Sequence, residues 1–497
     1  MTPLIALQVA LPLFAAPITA LIPKKSAAWA FTFGIAIITA VIALLLVFTV
    51  AKQGALSYAM GNWAPPVGIE YRADALSAAI LALISLTAVF VLPSAMPKYL
   101  HDIAPEKLPL FYAMFLLCLT GLLGMAITND IFNIYVFLEI SSLATYALIA
   151  CGKDKRASVA AFEYLILGTI GATFFLIGIG LLYMATGTLN LSDLATLLKP
   201  LGDNTLVRAG AAFILLGLCL KMALFPLHMW LVHAYEYAPS AISAFLSATA
   251  TKVALYLLAR LIFGVFGTAW IFDTLPVAPL LQLLAAGAII IGSVTAIFQK
   301  NIKRMLAFSS IAQIGCILLG FSLDTAAGFS AALMYLLLHA LAKAGLFLAT
   351  GCVEYQRGGV TLAHFSGMGK RMPYTVAAFA LCGVSLIGIP LTAGFLSKWM
   401  LLNALLVAGQ WPLLILMLIS SLATVIYIWK VMEAAFFGKE SELPMPGNIA
   451  PHKGEPPLPL LAPAALLAIC CLWFGMVSEW PITLVQAATA IYFKAGS

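Results

Sequence analysis

The chain has 497 residues, of which 63% are hydrophobic and only 9% are charged, and its formal net charge is +7. This composition excludes an ordinary soluble globular protein, because the apolar residues occur in runs of the roughly 20 residues that cross a bilayer. The positive charge does not indicate nucleic-acid binding, since most cations lie in short segments between these runs, where membrane orientation accounts for them.

The apolar runs predict about fourteen membrane-spanning helices, so the predicted fold class is an all-α polytopic membrane protein. In chain order the predicted spans cover residues 3–22, 28–50, 75–96, 109–128, 131–151, 158–184, 206–232, 239–266, 275–298, 304–322, 326–353, 373–405, 411–437 and 458–478. Gly438 to Pro459 is polar and proline-rich, which predicts an exposed inner loop. Trp480 to Lys494 is amphipathic or weakly apolar and too short to span.

Basic residues between the spans predict the orientation of the chain. If the N-terminus lies outside, the inner loops and span edges hold Lys24, Lys25, Lys98, Lys107, Lys153, Lys155, Arg156, Lys300, Lys303, Arg304, Arg357, Lys370, Arg371, Lys439 and Lys453. The outer side then holds only Lys52, Arg72, Lys199, Arg208 and Lys494. Because lysine and arginine are enriched on the cytoplasmic side, we expect a multi-pass protein of the cell inner (plasma) membrane with both termini outside.

The seventh predicted span holds a lysine at its middle and a proline five residues later. Lys221 lies in an apolar run, and Pro226 removes a backbone donor and interrupts the helix. The eighth span carries Lys252, and the fifth carries one acid, Glu139, at its centre. A charge at this depth costs from ~2.5 to more than 10 kcal/mol, so we expect Glu139 and Lys221 to form an exchangeable ion pair.

Two later spans carry further protonatable groups. The eleventh places His339 and Lys343 on one helix face, and the twelfth is interrupted at Gly388-Ile-Pro390 and carries Lys398. The predicted proton pathway consists of Glu139, Lys221, Lys252, His339, Lys343 and Lys398. The accessory candidates are His228, His233, Glu236, Ser309 and Gln313.

The two interrupted spans lie five spans apart, which predicts two structural repeats. Because five is an odd number, the second unit starts from the opposite side of the membrane and the repeats are inverted, as in many transporters. The predicted domains are 1–108 with three N-terminal helices, 109–266 as the first repeat (helices 4–8), 275–437 as the second repeat (helices 9–13), and 438–497 with the inner loop, helix 14 and the C-terminal segment.

The cysteines do not indicate a metal or redox centre. The eight cysteines form no CxxC pair and no Cys/His spacing typical of a metal site, and the sequence has no nucleotide-binding loop or haem motif. We therefore expect no metal, no cofactor and no enzymatic activity, which favours a secondary transporter subunit over a redox module.

Five segments within spans 4 to 13 resemble the antiporter-like family, which comprises the D and A subunits of Mrp multisubunit sodium/proton antiporters and the L, M and N proton-pumping subunits of respiratory complex I. The segments are the fifth span with Glu139, Lys221…Phe-Pro-Leu-His-Met-Trp, Lys303-Arg-Met-Leu-Ala-Phe-Ser-Ser-Ile-Ala-Gln-Ile-Gly, His339-Ala-Leu-Ala-Lys343-Ala and Gly388-Ile-Pro…Gly-Phe-Leu-Ser-Lys398. The resemblance implies that the matching acid and lysines form a chain of charged groups across the membrane plane.

Within the family, two segments resemble the D-type members of Mrp antiporters. They are Ala-Tyr235-Glu236-Tyr-Ala-Pro-Ser and Thr251-Lys252-Val. Complex I subunits more often have histidine near the position of Tyr235, and the M type has glutamate at that of Lys398. One departure is Pro390-Leu-Thr-Ala-Gly394, where the family more often has Pro-Pro-Leu-Ser-Gly. The resemblance implies a proton-translocating antiporter subunit, with Na+ and H+ as transported ions and other membrane subunits as partners in the lipid bilayer.

Two alternatives remain open. A proton-pumping subunit of complex I or of a membrane-bound hydrogenase-type redox complex would share the charged chain and be driven by electron transfer elsewhere. A structural membrane scaffold is disfavoured, because it gains nothing from the cost of several buried cations.

Overall fold

The computed structural model describes residues 2–100, 103–202, 204–439 and 454–493. Its helices are α1 (Thr2–Leu21), α2 (Lys25–Gln53), α3 (Ala75–Val91), α4 (Leu108–Ile127), α5 (Ile131–Ala150), α6 (Arg156–Thr186), α7 (Leu191–Leu197), α8 (Thr205–Lys221), α9 (Met229–Tyr237), α10 (Ser240–Ala248), α11 (Ala250–Ala259), α12 (Thr268–Thr274), α13 (Val277–Phe298), α14 (Ile302–Phe321), α15 (Ala326–Arg357), α16 (Leu362–Phe365), α17 (Met368–Arg371), α18 (Pro373–Ile387), α19 (Ala393–Val407), α20 (Trp411–Phe437), α21 (Leu458–Met476) and α22 (Glu479–Thr489). Strands β1 (Leu56–Ala59) and β2 (Glu70–Ala73) pair antiparallel. A π-helical stretch, Arg260–Phe266, continues α11, and short 3-10 helices cover Met60–Asn62, Leu92–Ala95, Pro105–Lys107 and Lys199–Leu201.

Long apolar helices make up most of the molecule and confirm the predicted all-α membrane fold. In the described part of the chain, twelve helical stretches are long and apolar enough to cross a bilayer. The seventh and twelfth predicted spans are each built from two shorter helices, α8 with α9 and α18 with α19. Together these elements account for the fourteen predicted spans.

Local backbone geometry explains the two predicted interruptions. α8 ends at Lys221, and Ala223 follows with a positive φ of 57°. α18 gives way at Gly388, whose φ of 87° is a conformation that glycine adopts at no steric cost. Pro226 and Pro390 come next in the two segments, and neither can donate the backbone hydrogen bond that would continue a helix.

The eighth span, predicted as one helix over 239–266, contains a third interruption. α10 ends at Ala248 and α11 begins at Ala250, with Thr249 between them at φ −120° and ψ −59°. The Thr249 hydroxyl donates to the carbonyl of Phe245 at 2.7 Å, and such bonds compete with the helical backbone pattern. The predicted span is confirmed as Ser240–Phe266. Its interruption was not predicted, because no proline or glycine marks this position.

Helices in two segments of the chain correspond at a constant shift of 171 residues, from Ile131 to Ile302. The corresponding features are the helices Ile131–Ala150 and Ile302–Phe321, the left-handed capping glycines Gly187 and Gly358, and the isolated bridges Asp130–Asn190 and Asn301–Thr361. This correspondence supports the predicted repeats, 109–266 and 275–437. Their inverted arrangement and the domain boundaries remain a proposal.

A β-hairpin between α2 and α3 was not predicted from the sequence. Its Glu70 is 8% exposed and accepts hydrogen bonds from Ser57 at 2.5 Å, Asn129 at 2.7 Å and Asn190 at 3.0 Å. Asn129 and Asn190 flank α5 and α7, so Glu70 joins the hairpin to the first predicted repeat. Burial raises the pKa of the Glu70 carboxyl, but these hydrogen bonds and the charge of Arg72 outweigh burial and hold it below its ordinary value.

The C-terminal stretch after α21 forms a short helix. α22 packs against α15 and α3, in agreement with the prediction that this stretch is too short to span. Residues 440–453 of the predicted inner loop lie outside the described residues, as do Lys494 and the rest of the C-terminus.

Replacing Glu70 with glutamine should lower the thermal stability of the protein in detergent. A hydrogen bond to a charged group contributes about 1.5–3 kcal/mol, and the neutral amide loses this advantage. Because the folded-state pKa of Glu70 lies below the unfolded value, its contribution is complete above the unfolded pKa. The contribution is lost as the pH falls through the folded pKa.

Thermal unfolding of the wild type and Glu70→Gln, followed at neutral and acidic pH, measures this effect. We expect the wild type to be more stable than Glu70→Gln at neutral pH, and we expect this difference to disappear in acid. Glu106→Gln, which changes an exposed acid, serves as the control. A difference that is independent of pH would contradict the assignment.

Candidate functional site

All four lysines of the predicted proton pathway are buried in the helical bundle, and three of them lie beside a helix interruption. Lys221 ends α8, Lys252 is close to the start of α11, and Lys398 is near the start of α19. Lys343 lies within the long α15. Lys252 and Lys343 are 0% exposed, and Lys221 and Lys398 are 7% exposed. A buried charge must be solvated by the protein, so the atoms around each ammonium define its chemistry.

Lys221 reaches α5, but its bonding partner there is a serine. Lys221 Nζ donates to Ser142 Oγ at 2.8 Å. Glu139 lies one helical turn earlier on α5, is half-buried, and is close enough to Lys221 to interact electrostatically. The predicted direct ion pair is not formed between these two described residues, because the serine hydroxyl holds the ammonium instead.

The other three lysines bond to backbone carbonyls. The bonds run from Lys252 Nζ to Ser247 O at 2.5 Å, from Lys343 Nζ to Leu306 O at 2.7 Å, and from Lys398 Nζ to Ile387 O at 2.9 Å. Each ammonium also contacts one hydroxyl group. Lys252 contacts Thr251, Lys343 contacts Ser309, and Lys398 contacts Ser421. Ser247 and Ile387 lie at the ends of interrupted helices, where carbonyls lack intrahelical donors.

His339 lies among these lysines with both ring nitrogens unbonded to any described residue. Its ring centroid is 6.3 Å from that of Tyr335. It is close enough to Lys252, Lys343 and Lys398 to interact electrostatically with all three. Since a neutral imidazole has one donor and one acceptor nitrogen, His339 can take a proton on one side and release one on the other.

A small cavity lies between His339 and Lys398. Its volume is about 10 Å³, which is close to the space that one water molecule requires. Its lining includes Gln313, Tyr335, Ser385, Gly394 and Ser397 beside the two protonatable groups. A cavity of this size has room for a single water between the imidazole and the ammonium.

Three accessory candidates lie with these buried groups. The Ser309 hydroxyl accepts from Lys343, and the Gln313 amide oxygen accepts from the hydroxyl of Tyr335. His228 lies in the interruption between α8 and α9, and its buried Nδ1 has no partner among the described residues. The structure thus brings these three side chains to the interrupted helices and the central lysines.

The other two accessory candidates have ionic partners of their own. His233 Nδ1 lies 2.5 Å from Glu163, and Glu236 lies 3.4 Å from Arg304 and 3.1 Å from the Asn301 amide. These contacts satisfy both side chains at the end of α9. The structure therefore does not join His233 or Glu236 to the four buried lysines.

The sequence did not identify two buried cations, Arg260 and Lys303, as site residues. Arg260 is 5% exposed and donates to Asn129 at 3.1 Å, and Lys303 is 2% exposed and lies 2.8 Å from Glu354. Lys303 was interpreted as an orientation charge. In the sequence, a cation at the edge of a span looks the same whether it lies at the membrane surface or pairs with an acid. Only the three-dimensional structure distinguishes these two cases.

Residues 128–426 match the family model described as "NADH:quinone oxidoreductase/Mrp antiporter, TM". The chain belongs to this family. It is similar to the N-type subunit of the NADH-quinone oxidoreductase of Desulforudis audaxviator (strain MP104C), with 42% identity over 491 residues, covering 96% of this chain and 97% of that protein. It is also similar to the D-type subunit of the Na(+)/H(+) antiporter of Bacillus subtilis (strain 168), with 32% identity, covering 90% and 88%.

Among solved structures, a chain of the Mrp complex from Dietzia sp. DQ12-45-1b has a TM-score of 0.89 and 27% identity, covering 99% of this chain and 98% of that chain. The resemblance to the antiporter-like family is therefore confirmed. The family match includes all six residues of the predicted proton pathway, which extends from Glu139 to Lys398. The roles of those residues remain predictions.

Replacing Ser142 with alanine removes the hydroxyl that holds Lys221. Loss of a hydrogen bond to a charged group costs about 1.5–3 kcal/mol, so we expect proton transport by the assembled complex to fall by about tenfold or more. Ser142→Thr keeps the hydroxyl and should stay near wild type. Ser141→Ala is the matched control, because its hydroxyl bonds only to the carbonyl of Leu138. Proton uptake by proteoliposomes measures the effect, and normal uptake with Ser142→Ala would exclude this contact from the pathway.

Proposed function

We propose that this chain is the proton-carrying membrane subunit of a multisubunit Na+/H+ antiporter of the Mrp type. The observation that carries the proposal is the set of four buried lysines, Lys221, Lys252, Lys343 and Lys398, each of which donates to neutral oxygens rather than to a fixed counter-ion. Such groups can change their protonation state without breaking a permanent ion pair. The similarity to the D-type subunit of an antiporter over 90% of the chain supports sodium as the coupled ion.

The first step of transport is a change of partner at Lys221. When the ammonium moves from the Ser142 hydroxyl to Glu139, the pair predicted from the sequence forms and the proton is held at this end of the series. When the pair separates, Lys221 can pass its proton onward and remain as a neutral amine. The Ser142 hydroxyl can then donate to that amine, because a hydroxyl is both donor and acceptor.

The later proton transfers take place among the buried lysines and His339 at the centre of the bundle. Lys252 and Lys343 interact with each other electrostatically, so that a proton on one disfavours a proton on the other. His339 lies next to both and is separated from Lys398 by the small cavity. A proton passes from the central lysines to the imidazole, and then through water to Lys398. Coupled groups of this kind titrate as a set rather than one at a time.

We infer that the chain works inside a hetero-oligomeric membrane complex. Both named relatives are subunits, and the similar structure is a chain of a complex. The surface of the described helices carries many exposed apolar side chains, among them Phe162, Ile419 and Trp429, which suit lipid and neighbouring subunits. The bias of basic residues supports a plasma-membrane location with both termini outside.

A second candidate is a proton-pumping subunit of a redox-driven complex. It is favoured by the 42% identity to the N-type subunit of an NADH-quinone oxidoreductase over nearly the whole chain. The proton pathway is the same in both cases, and only the source of energy differs. The neighbouring genes distinguish them, because small membrane subunits alone favour an antiporter and iron–sulfur or nucleotide-binding subunits favour a redox complex.

Replacing Lys398 with arginine should keep the charge and abolish most transport. Arginine stays protonated in proteins, whereas a buried lysine can release its proton. Positioned proton-transfer groups typically contribute 100-fold or more, so we expect a loss of about a hundredfold with normal assembly. Lys370→Arg, at an exposed position, is the matched control. Wild-type transport by Lys398→Arg vesicles would remove this lysine from the pathway.

The complete complex, but not the isolated chain, should exchange Na+ for H+. In proteoliposomes with an imposed sodium gradient, we expect the complex to change the internal pH and the purified chain to leave it unchanged. Robust exchange by the chain alone would contradict its role as a subunit. A complex that ignores sodium but pumps protons when given an electron donor would support the second candidate.

A further inference from the structure

A large cavity lies at the predicted inner end of the bundle, outside the series of groups described above. Its volume is about 480 Å³, which is within the range of ligand-sized cavities. It is formed where the α5–α6 and α9–α10 connections meet α14 and α15, so both predicted repeats contribute to its wall. The charged residues that line it are Lys153, Asp154, Arg156, Glu236, Lys303 and Glu354.

An ion pair between helices α14 and α15 forms part of this wall. Lys303 Nζ lies 2.8 Å from Glu354 Oε2 and donates to the Ala238 carbonyl at 3.2 Å. The hydroxyl of Ser240 donates to the same Glu354 oxygen. The Lys303 side chain is 2% exposed and that of Glu354 is 34% exposed. Both residues line the cavity, and Glu354 is the more exposed of the two.

The fold itself does not require this ion pair. At the shift of 171 residues that relates the two segments, Lys303 and Glu354 correspond to Phe132 and Tyr183, which are 43% and 50% exposed. The same backbone bridge forms beside both sets of residues. Since buried ion pairs can often be replaced by apolar residues without loss of stability, the pair at this end points to a role other than folding.

The helices that carry the ion pair also carry the contacts of Lys343. On α14, Lys303 lies one turn before Leu306, whose carbonyl accepts from Lys343. On α15, Glu354 lies eleven residues after Lys343, which is about 16 Å along a helix. Leu348 lines the cavity between them and is 2% exposed. A short apolar segment thus separates the cavity from the central lysines.

We propose that this cavity is a water-filled vestibule through which protons reach Lys343 from the inner side, and that Glu354 is the first group to accept them. The proposal rests on the proposed proton transport. A proton from water binds the Glu354 carboxylate, so that the ion pair is lost while Lys303 keeps its bond to Ala238. Water then passes Leu348, the carboxylic acid gives its proton through that water to the neutral amine of Lys343, and the Glu354 carboxylate pairs with Lys303 again.

Transport by the intact complex tests the role of Glu354. Glu354→Gln keeps the shape and hydrogen bonding but cannot accept the proton, so we expect proton transport to fall by about a hundredfold with normal assembly. Asp154→Asn is the matched control, because this acid lines the same cavity, is 39% exposed and pairs with Arg156. Transport by Glu354→Gln at the wild-type rate, or an equal loss in Asp154→Asn, would overturn the assignment.

A native cysteine tests the vestibule independently of transport. Cys151 lines the cavity and is half-buried, so a membrane-impermeant thiol reagent should label it in inside-out vesicles but not in right-side-out vesicles. Cys151→Ser gives the background. In that background, Leu348→Cys should be labelled faster when Glu354→Gln is also present, because the proposal requires water to pass Leu348 when the Glu354 carboxylate loses its charge. Labelling of Cys151 from the outside only, or from neither side, would exclude the vestibule whatever ion the complex transports.

Discussion

The solvation of lysine ammonium groups by neutral oxygens inside the membrane is the constraint on which the rest of the structure depends. Lys221 is held by a hydroxyl, and Lys398 by a carbonyl at the end of an interrupted helix together with a hydroxyl. Neutral oxygens offset part of the desolvation cost without fixing the charge as an ion pair does. Lys343 uses a carbonyl within the continuous helix α14, whereas Lys252 and Lys398 use carbonyls at helix interruptions, where intrahelical donors are missing. We therefore propose that the interruptions serve the proton chemistry as well as the fold.

The two ends of the bundle are joined by different chemistry. At the hairpin end, Glu70 accepts from the amides of Asn129 and Asn190, which are neutral and do not exchange protons at ordinary pH. At the opposite end, Lys303 and Glu354 connect α14 and α15 to the α9–α10 connection through two protonatable groups. At the hairpin end the bonding therefore changes only when Glu70 itself is protonated in acid, whereas at the opposite end we propose that it changes during proton transport.

The sequence predicted the spans and two interruptions because their signals are local. Runs of apolar residues set the helices, and Pro226 and Gly388 mark positions where the helix cannot continue. The interruption at Thr249 has no such marker, since its backbone geometry depends on hydroxyl groups and packing. The partner of Lys221 could not be chosen either, because Glu139 and Ser142 lie one turn apart on the same helix and both side chains can accept from an ammonium, so only the fold decides which one Lys221 reaches. The hairpin depends on contacts between segments far apart in the sequence.

The chain is similar both to a subunit named for antiport and to a subunit named for quinone reduction, so we propose that the pathway itself is independent of the energy source. The balance at Lys221 explains how one pathway can serve both. A unit charge 4 Å from Glu139 changes its energy by about 4 kcal/mol at an effective dielectric constant of 20. The hydrogen bond that holds Lys221 on Ser142 contributes about 1.5–3 kcal/mol. We therefore propose that a partner that removes a cation from beside the half-buried Glu139 transfers Lys221 from the hydroxyl to the carboxylate. In this proposal, a sodium ion and a redox reaction can each move that charge, and the proton transfers at the later lysines are the same in both cases.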